Sequence, residues 1–265
     1  MNAKLAPLSP QNIAKIAEQF PVNDNCMYLN HAAVAPWPKC TTDAVQQFAQ
    51  ENCLTGAQGY LTWLKKEQDL RSKLADLVGT KNQDCLALVK NTSEALSLVA
   101  YGLEWHAGDT ILISDDEFPS NRIVWESLVE KFGVVIKQVA INQENPEANI
   151  LAAINSIEQK PKLISISAVQ YASGIKLDLA KLGAACKKNK VLFCVDAIQA
   201  VGAIEFKCDD WHIDFAMADG HKWMLGPEGL GFFFIKQNFI FFNFTFFFFY
   251  RFNMLNLFFK NKNFL

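Results

Sequence analysis

Residues 41–78 carry Leu61, Leu64, Leu70, Leu74 and Leu77 at helical spacing, which predicts helix across that stretch. Beyond it the pattern changes to short apolar runs. Seven follow in order: Leu86–Lys90, Thr110–Ser114, Val134–Val139, Leu163–Ser167, Val191–Val195, Phe215–Ala218 and Gly231–Ile235. Most are apolar without alternation, as expected of strands covered on both faces. Amphipathic stretches near 93–104, 120–132, 147–158 and 178–189 separate the first five runs and predict helices. Strand alternating with helix predicts an α/β fold, a mainly parallel seven-stranded sheet with helices on both faces.

Composition narrows this picture. The 265 residues are 51% hydrophobic and 20% charged, which excludes a mainly disordered chain. A net charge of −2 leaves no electrostatic footprint for nucleic acid. The seven Cys form no CxxC pair and the four His have no metal-ligand spacing, so neither a disulfide framework nor a metal site is expected. The N-terminal stretch MNAKLAPLSPQNIAKIAEQF has no apolar core of the signal-peptide kind, and a cytoplasmic location is the expectation.

In open α/β sheets, ligands sit at the carboxyl ends of the strands. Five such ends are rich in polar groups. Asn91-Thr92-Ser93-Glu94 follows the first run, and Asp115 to Asn121 follows the second. Ala168 to Gly174 follows the fourth, Asp196-Ala197-Ile198-Gln199 the fifth, and Asp219-Gly220-His221-Lys222 the sixth. Neither a GxGxxG nor a Walker loop is present, which disfavours nicotinamide and P-loop nucleotide chemistry.

Asn91 with Glu94 reads as a capping box, and Thr92 and Ser93 at that helix start could equally seat a phosphate. Asp196, directly after a buried run, is either a helix cap or the partner of a cation such as a protonated heterocyclic nitrogen. Lys222, in a Gly-rich loop with His221 and Trp223, is either a surface lysine or a desolvated amine fit for a Schiff base. A lysine, an acid and a phosphate seat on three strand ends of one sheet together match the needs of pyridoxal phosphate.

The sequence resembles the class V aminotransferases, the fold-type I pyridoxal-phosphate group that includes cysteine desulfurases and isopenicillin N epimerase-like proteins. The matching pieces are YLNHAAVAPWP (28–38), NTSEAL (91–96), DEFPSN (116–121), VQYASGIKLDL (169–179), VDAIQAVG (195–202) and DGHKWMLGPEGLG (219–231). The resemblance implies that Lys222 carries the cofactor and then shuttles a proton. Asp196 would pair with the pyridine nitrogen and Gln199 with the ring's phenolic oxygen. Thr92 and Ser93 would hold the phosphate with His221 close by, and Phe118 would stack on the ring where many members place His. Asn30, His31 and Gln170 would lie on the substrate side. An amino-acid substrate and a homodimer are implied as well, with neither nucleic acid nor membrane as partner. Asp219 stands where desulfurases commonly carry a phosphate-binding Ser or Thr. With Phe118 and Gln170, that departure leans toward the epimerase-like branch.

The chain divides into an N-terminal segment (1–40), a cofactor-binding domain (41–236) and a tail. The tail, residues 239–265, holds 12 of the 22 Phe and no acidic residue. Of its 27 residues, 24 have codons that can be written with A and T alone. It is expected to be translated A/T-rich sequence outside the family pattern. The chain is then a truncated enzyme without the closing domain that supplies the carboxylate-binding Arg, or a catalytically inactive remnant. A membrane anchor fits less well, because the uninterrupted stretch Phe239–Tyr250 has 12 residues and a spanning helix needs about 20.

Overall fold

The computed structural model describes residues 9–141, 144–156 and 160–242. A short helix α1 (Pro10–Ala17) precedes an extended segment and the long helices α2 (Lys39–Thr55) and α3 (Tyr60–Val78). Then follow β1 (Leu86–Val89), α4 (Thr92–Gly102), β2 (Thr110–Ser114), α5 (Ser120–Phe132), β3 (Val135–Val139), α6 (Ala148–Ile154) and β4 (Leu163–Ser167). The last elements are α7 (Leu179–Asn189), β5 (Leu192–Asp196), β6 (Phe215–Asp219), β7 (Gly231–Ile235) and α8 (Gln237–Phe242). All seven expected strands form, each within a residue or so of its apolar run.

The seven strands make one sheet in the order β1-β7-β6-β5-β4-β2-β3. The ladder from β3 through β2, β4 and β5 to β6 is parallel. Strand β7 runs against both its neighbours, β6 and β1. Its direction follows from its connection. Residues 220–230 contain no helix, and without a crossover the chain returns antiparallel to the strand it has just left.

Period-two alternation sends the strands' side chains to two cores. Phe232 and Phe234 of β7 join Leu112, Ile164, Ile166, Phe193 and Val195 under α3, α6 and α7. Phe233 and Ile235 join Ile111, Ile113, Phe215 and Met217 under α4 and α5. Three consecutive Phe are thus divided between two layers and all fully buried. The edge strand β3 is the exception: Val135 is half exposed, as a strand with one neighbour allows.

Two sequence expectations change. The helix expected over 41–78 is broken at Gly56, whose φ of 57° ends α2; a single 3-10 turn, Gly56–Gly59, then leads into α3. The leucine stripe is only partly a core stripe. Leu74 is buried, whereas Leu61 is 74% exposed, and α2 buries none of its side chains. The Phe-rich tail begins inside a folded element: Phe239 of α8 packs on the Phe215 ring at 5.1 Å. Residues 243–265, which carry most of that expectation, lie outside the described residues. Among the described residues, no helix is long and apolar enough to cross a membrane.

Because Phe233 fills the layer under α4 with no exposed surface, Phe233→Ala is expected to cost about 3–5 kcal/mol of stability. Chemical denaturation checks this as a lower midpoint at unchanged slope.

Candidate active site

The polar strand ends converge on a cavity of about 520 Å³. Loops after β1, β2, β4, β5 and β6 line it, and Asn30, Ala32 and Ala33 of the N-terminal segment close one side.

At the end of β1, Asn91 caps α4, its Oδ1 accepting the Glu94 N–H at 2.8 Å. Glu94 reaches back to the Lys90 N–H at 2.7 Å, one residue before the usual capping-box partner. Thr92, first residue of the helix, lines the cavity and is 5% exposed, yet its Oγ1 has no hydrogen-bond partner. A buried hydroxyl left alone beside free helix N–H groups fits an absent anion.

After β2, the buried Glu117 is the centre of a polar network. Its carboxylate accepts from Ser114 Oγ at 2.7 Å, Asn121 Nδ2 at 2.8 Å, Ser167 Oγ at 2.6 Å, Ser167 N at 3.0 Å and Gln170 Nε2 at 3.2 Å. This anchors the loop from below and leaves the next residue, Phe118, on the cavity wall, edge-on to Tyr171 at 5.2 Å.

Asp196 ends β5 at 2% exposure. No helix starts after it, which removes the helix-cap reading; its Oδ1 instead accepts the Ile198 N–H at 3.0 Å within a turn. Burial pushes its carboxyl up to about 7. The Glu117 charge pushes the same way, and the Ile198 N–H and Lys222 draw it back only in part.

Lys222 lies on the loop after β6, its Nζ 5.7 Å from the centre of the Phe118 ring. Burial pulls its pKa below the ordinary lysine value, opposed by the charges of Asp196 and Asp219. Lys222 is half-buried and lines the cavity. The loop is held tightly. A Cβ on Gly202, whose φ is +97°, would meet the Trp223 carbonyl oxygen at 2.2 Å. The His221 carbonyl accepts the Ala35 N–H at 2.8 Å.

The cavity gathers Thr92, Ser93, Phe118, Asp196, Gln199, His221, Lys222 and Asn30, as the sequence suggested. Gln199 is engaged on both sides, donating to the Ala32 carbonyl at 2.9 Å and accepting from Trp223 Nε1 at 2.8 Å. His31 and Gln170 do not line the cavity. His31 stacks on Trp223 at 5.4 Å. Gln170 is 1% exposed and turns into the Glu117 network. The reason is alternation in extended chain: Val169 bridges Lys176, so Val169 and Tyr171 face the cavity and Gln170 faces away. Ser120 and Ser167 are lining residues the sequence reading passed over. Ser167 was accessible to it as the last residue of a strand ending at the ligand edge.

A lysine, a buried acid, an aromatic face and an unpartnered hydroxyl at a helix start fit pyridoxal phosphate. The family model for class-V aminotransferases matches residues 27–241. The chain belongs to the class-V aminotransferase family. The fold is the large-domain fold of that group. A probable cysteine desulfurase of Methanothermobacter thermautotrophicus is 29% identical over 82% of this chain and 54% of its own length. An isopenicillin N epimerase of Amycolatopsis lactamdurans is 28% identical over 83% of this chain and 56% of its own. The apo cysteine desulfurase structure from Thermococcus onnurineus NA1 superposes with a TM-score of 0.77 at 26% identity, covering 89% of this chain and 59% of that one. The chain thus spans little more than half the length of the curated relatives it matches.

The Asp196 carboxyl has a testable consequence. An unfolded Asp titrates near 3.9, and this one near 7 in the fold. Between those values the folded, cofactor-free chain holds a proton that the unfolded chain has released, so stability falls as pH rises through that window. Asp196→Asn is expected to flatten the dependence and to melt a few degrees higher at alkaline pH. Thermal melts at pH 5 and pH 8 check both.

Proposed function

We propose that this chain binds pyridoxal phosphate through Lys222 and acts on an amino acid, as a transaminase, a lyase or desulfurase, or an epimerase. The observation that carries this reading is the pairing of two desolvated groups, Lys222 and Asp196, on one cavity wall. Bound there, the cofactor supplies an electron sink for charge developing at the substrate's Cα. Asp196 would hold the ring nitrogen in its protonated form. Thr92 and Ser93, with His221, would hold the phosphate at the start of α4. Phe118 would pack against the ring and Gln199 would hydrogen-bond its phenolic oxygen. Lys222 would take and return a proton at Cα, whereas Phe118 has no proton to exchange. Asn30 stands on the substrate side.

The exposed apolar side chains of Met27, Leu29, Leu54 and Leu61 support a homodimer. A cytoplasmic location accompanies this reading.

A second reading has its own support. Among the described residues no arginine lines the cavity, so these residues offer no guanidinium there for a substrate carboxylate. On that reading it binds the cofactor without turnover.

One experiment separates the two. The purified chain is mixed with pyridoxal phosphate and its visible absorption followed. A band that is lost in Lys222→Ala is expected, and no band in the wild type defeats both readings. Turnover of any amino acid favours the enzyme, and a band without turnover the binding protein. Phe118→Ala should keep the band but weaken cofactor affinity by about fivefold, the ~1 kcal/mol of an aromatic contact, as read by absorbance titration.

A further inference from the structure

The lysine loop opens on Asp219, the last residue of β6. Its side chain is 7% exposed and lines the cavity. Its Oδ1 has no hydrogen-bond donor. His221 Nδ1 lies 3.2 Å away, close enough for an ion pair, but the two are not aligned for a hydrogen bond and both atoms stay without one.

The sheet register fixes where this lone acceptor sits. Gly231 of β7 pairs with Asp219 on one side and with Val89 of β1 on the other. Asp219 therefore stands level with the end of β1, two strand spacings or about 10 Å across. Helix α4 begins three residues past Val89 and packs on β6. Thr92 Oγ1, which like Asp219 Oδ1 and His221 Nδ1 has no hydrogen-bond partner, is on its first residue. A carboxylate and a helix N-terminus thus line the same cavity.

That combination constrains the anion. An ionised carboxylate only accepts hydrogen bonds, and a fully ionised oxyanion only accepts them too. Face to face they repel, and both stay unsatisfied. A phosphate monoester loses its last proton near pH 6, so keeping that proton costs little near neutrality. The retained O–H donates to Asp219 while the other oxygens accept from Thr92, Ser93 and the helix amides. Sulfate has no such proton to offer.

We propose that Asp219 makes the anion seat at the start of α4 selective for an oxyanion that retains a proton, a phosphate or its monoester, over sulfate. The proposal deepens the pyridoxal-phosphate reading and rests on it for the identity of the monoester. The other charged groups around the seat are His221 and Lys222 on the same loop and Asp196 at the end of β5, with Glu117 beneath it. From α4 the one charged group nearby, Glu94, is turned to the Lys90 N–H.

The test uses the full chain with inorganic phosphate and inorganic sulfate, each titrated calorimetrically and as a competitor of pyridoxal phosphate. Phosphate is expected to bind at least about tenfold more tightly than sulfate near pH 6. Its affinity should fall as pH rises, by up to about tenfold per unit once the proton must be taken up on binding. Asp219→Ser should let sulfate bind within a few-fold of phosphate and flatten the pH dependence. Asp219→Asn, closer in shape, should do the same if the Ser variant folds poorly. Equal binding of the two anions by the wild type, or an unchanged preference in both variants, overturns the proposal. Calorimetry with the inorganic anions does not involve Lys222. A missing Lys222-dependent absorption band therefore defeats the cofactor reading without deciding the anion preference.

Discussion

The site depends on the reversed strand β7 lying between β1 and β6. Gly231 pairs with both Val89 and Asp219. This pairing brings the end of the first strand level with the start of the lysine loop, although well over a hundred residues separate them in the chain. A side chain at Gly231 would meet the Ala218 carbonyl oxygen at 2.5 Å, so the close approach requires glycine. On either side of this backbone contact, β7 divides its Phe between the two cores. The same five residues therefore hold the layers together and set the distance between the start of α4 and the lysine loop.

Electrostatically, the cavity is dominated by acids. Glu117, Asp196 and Asp219 are all buried acids, and Lys222 is the cation set among them. Of the three, only Glu117 is fully supplied with donors. Asp196 has one backbone N–H and is pushed toward its neutral form; Asp219 Oδ1 has none. A stability-optimised core would not keep such groups. A protonated ring nitrogen opposite Asp196 and a phosphate at α4 would supply the missing partners.

Much of this was legible in the sequence, and for a physical reason. A strand buried on both faces has to be a short apolar run, so all seven could be read directly. The ligand edge then follows from where each run stops, which found Thr92, Asp196 and Lys222. What could not be read depended on side-chain direction or on partners distant in the chain. Gln170 and Tyr171 are adjacent, and only the bridge from Val169 to Lys176 decides which one faces the cavity. The direction of β7 depends on a loop whose lack of helix leaves no hydrophobic periodicity to read. The break at Gly56 interrupts a helical pattern that continues on both sides, so spacing alone runs through it. Leu61 has the spacing of a core residue and lies on the surface, because periodicity marks an apolar face without showing what covers it.

The N-terminal segment ties these levels together. His31 lies outside the cavity, yet it stacks on Trp223, whose indole N–H holds Gln199, whose amide in turn holds the Ala32 carbonyl. Ala35 closes the circuit by donating to the carbonyl of His221, next to Lys222. Gln199 thus has one hydrogen-bonding capacity already spent on each end of its amide before any ligand arrives. Its second N–H remains for the cavity. If that N–H is taken by the ring oxygen of a bound cofactor, the ligand, the lysine loop and residues 30–35 are held by one side chain. Ordering any one of the three then favours the other two. His31 belongs to the site in this sense, as a residue that packs the loop carrying Lys222, without touching what Lys222 binds.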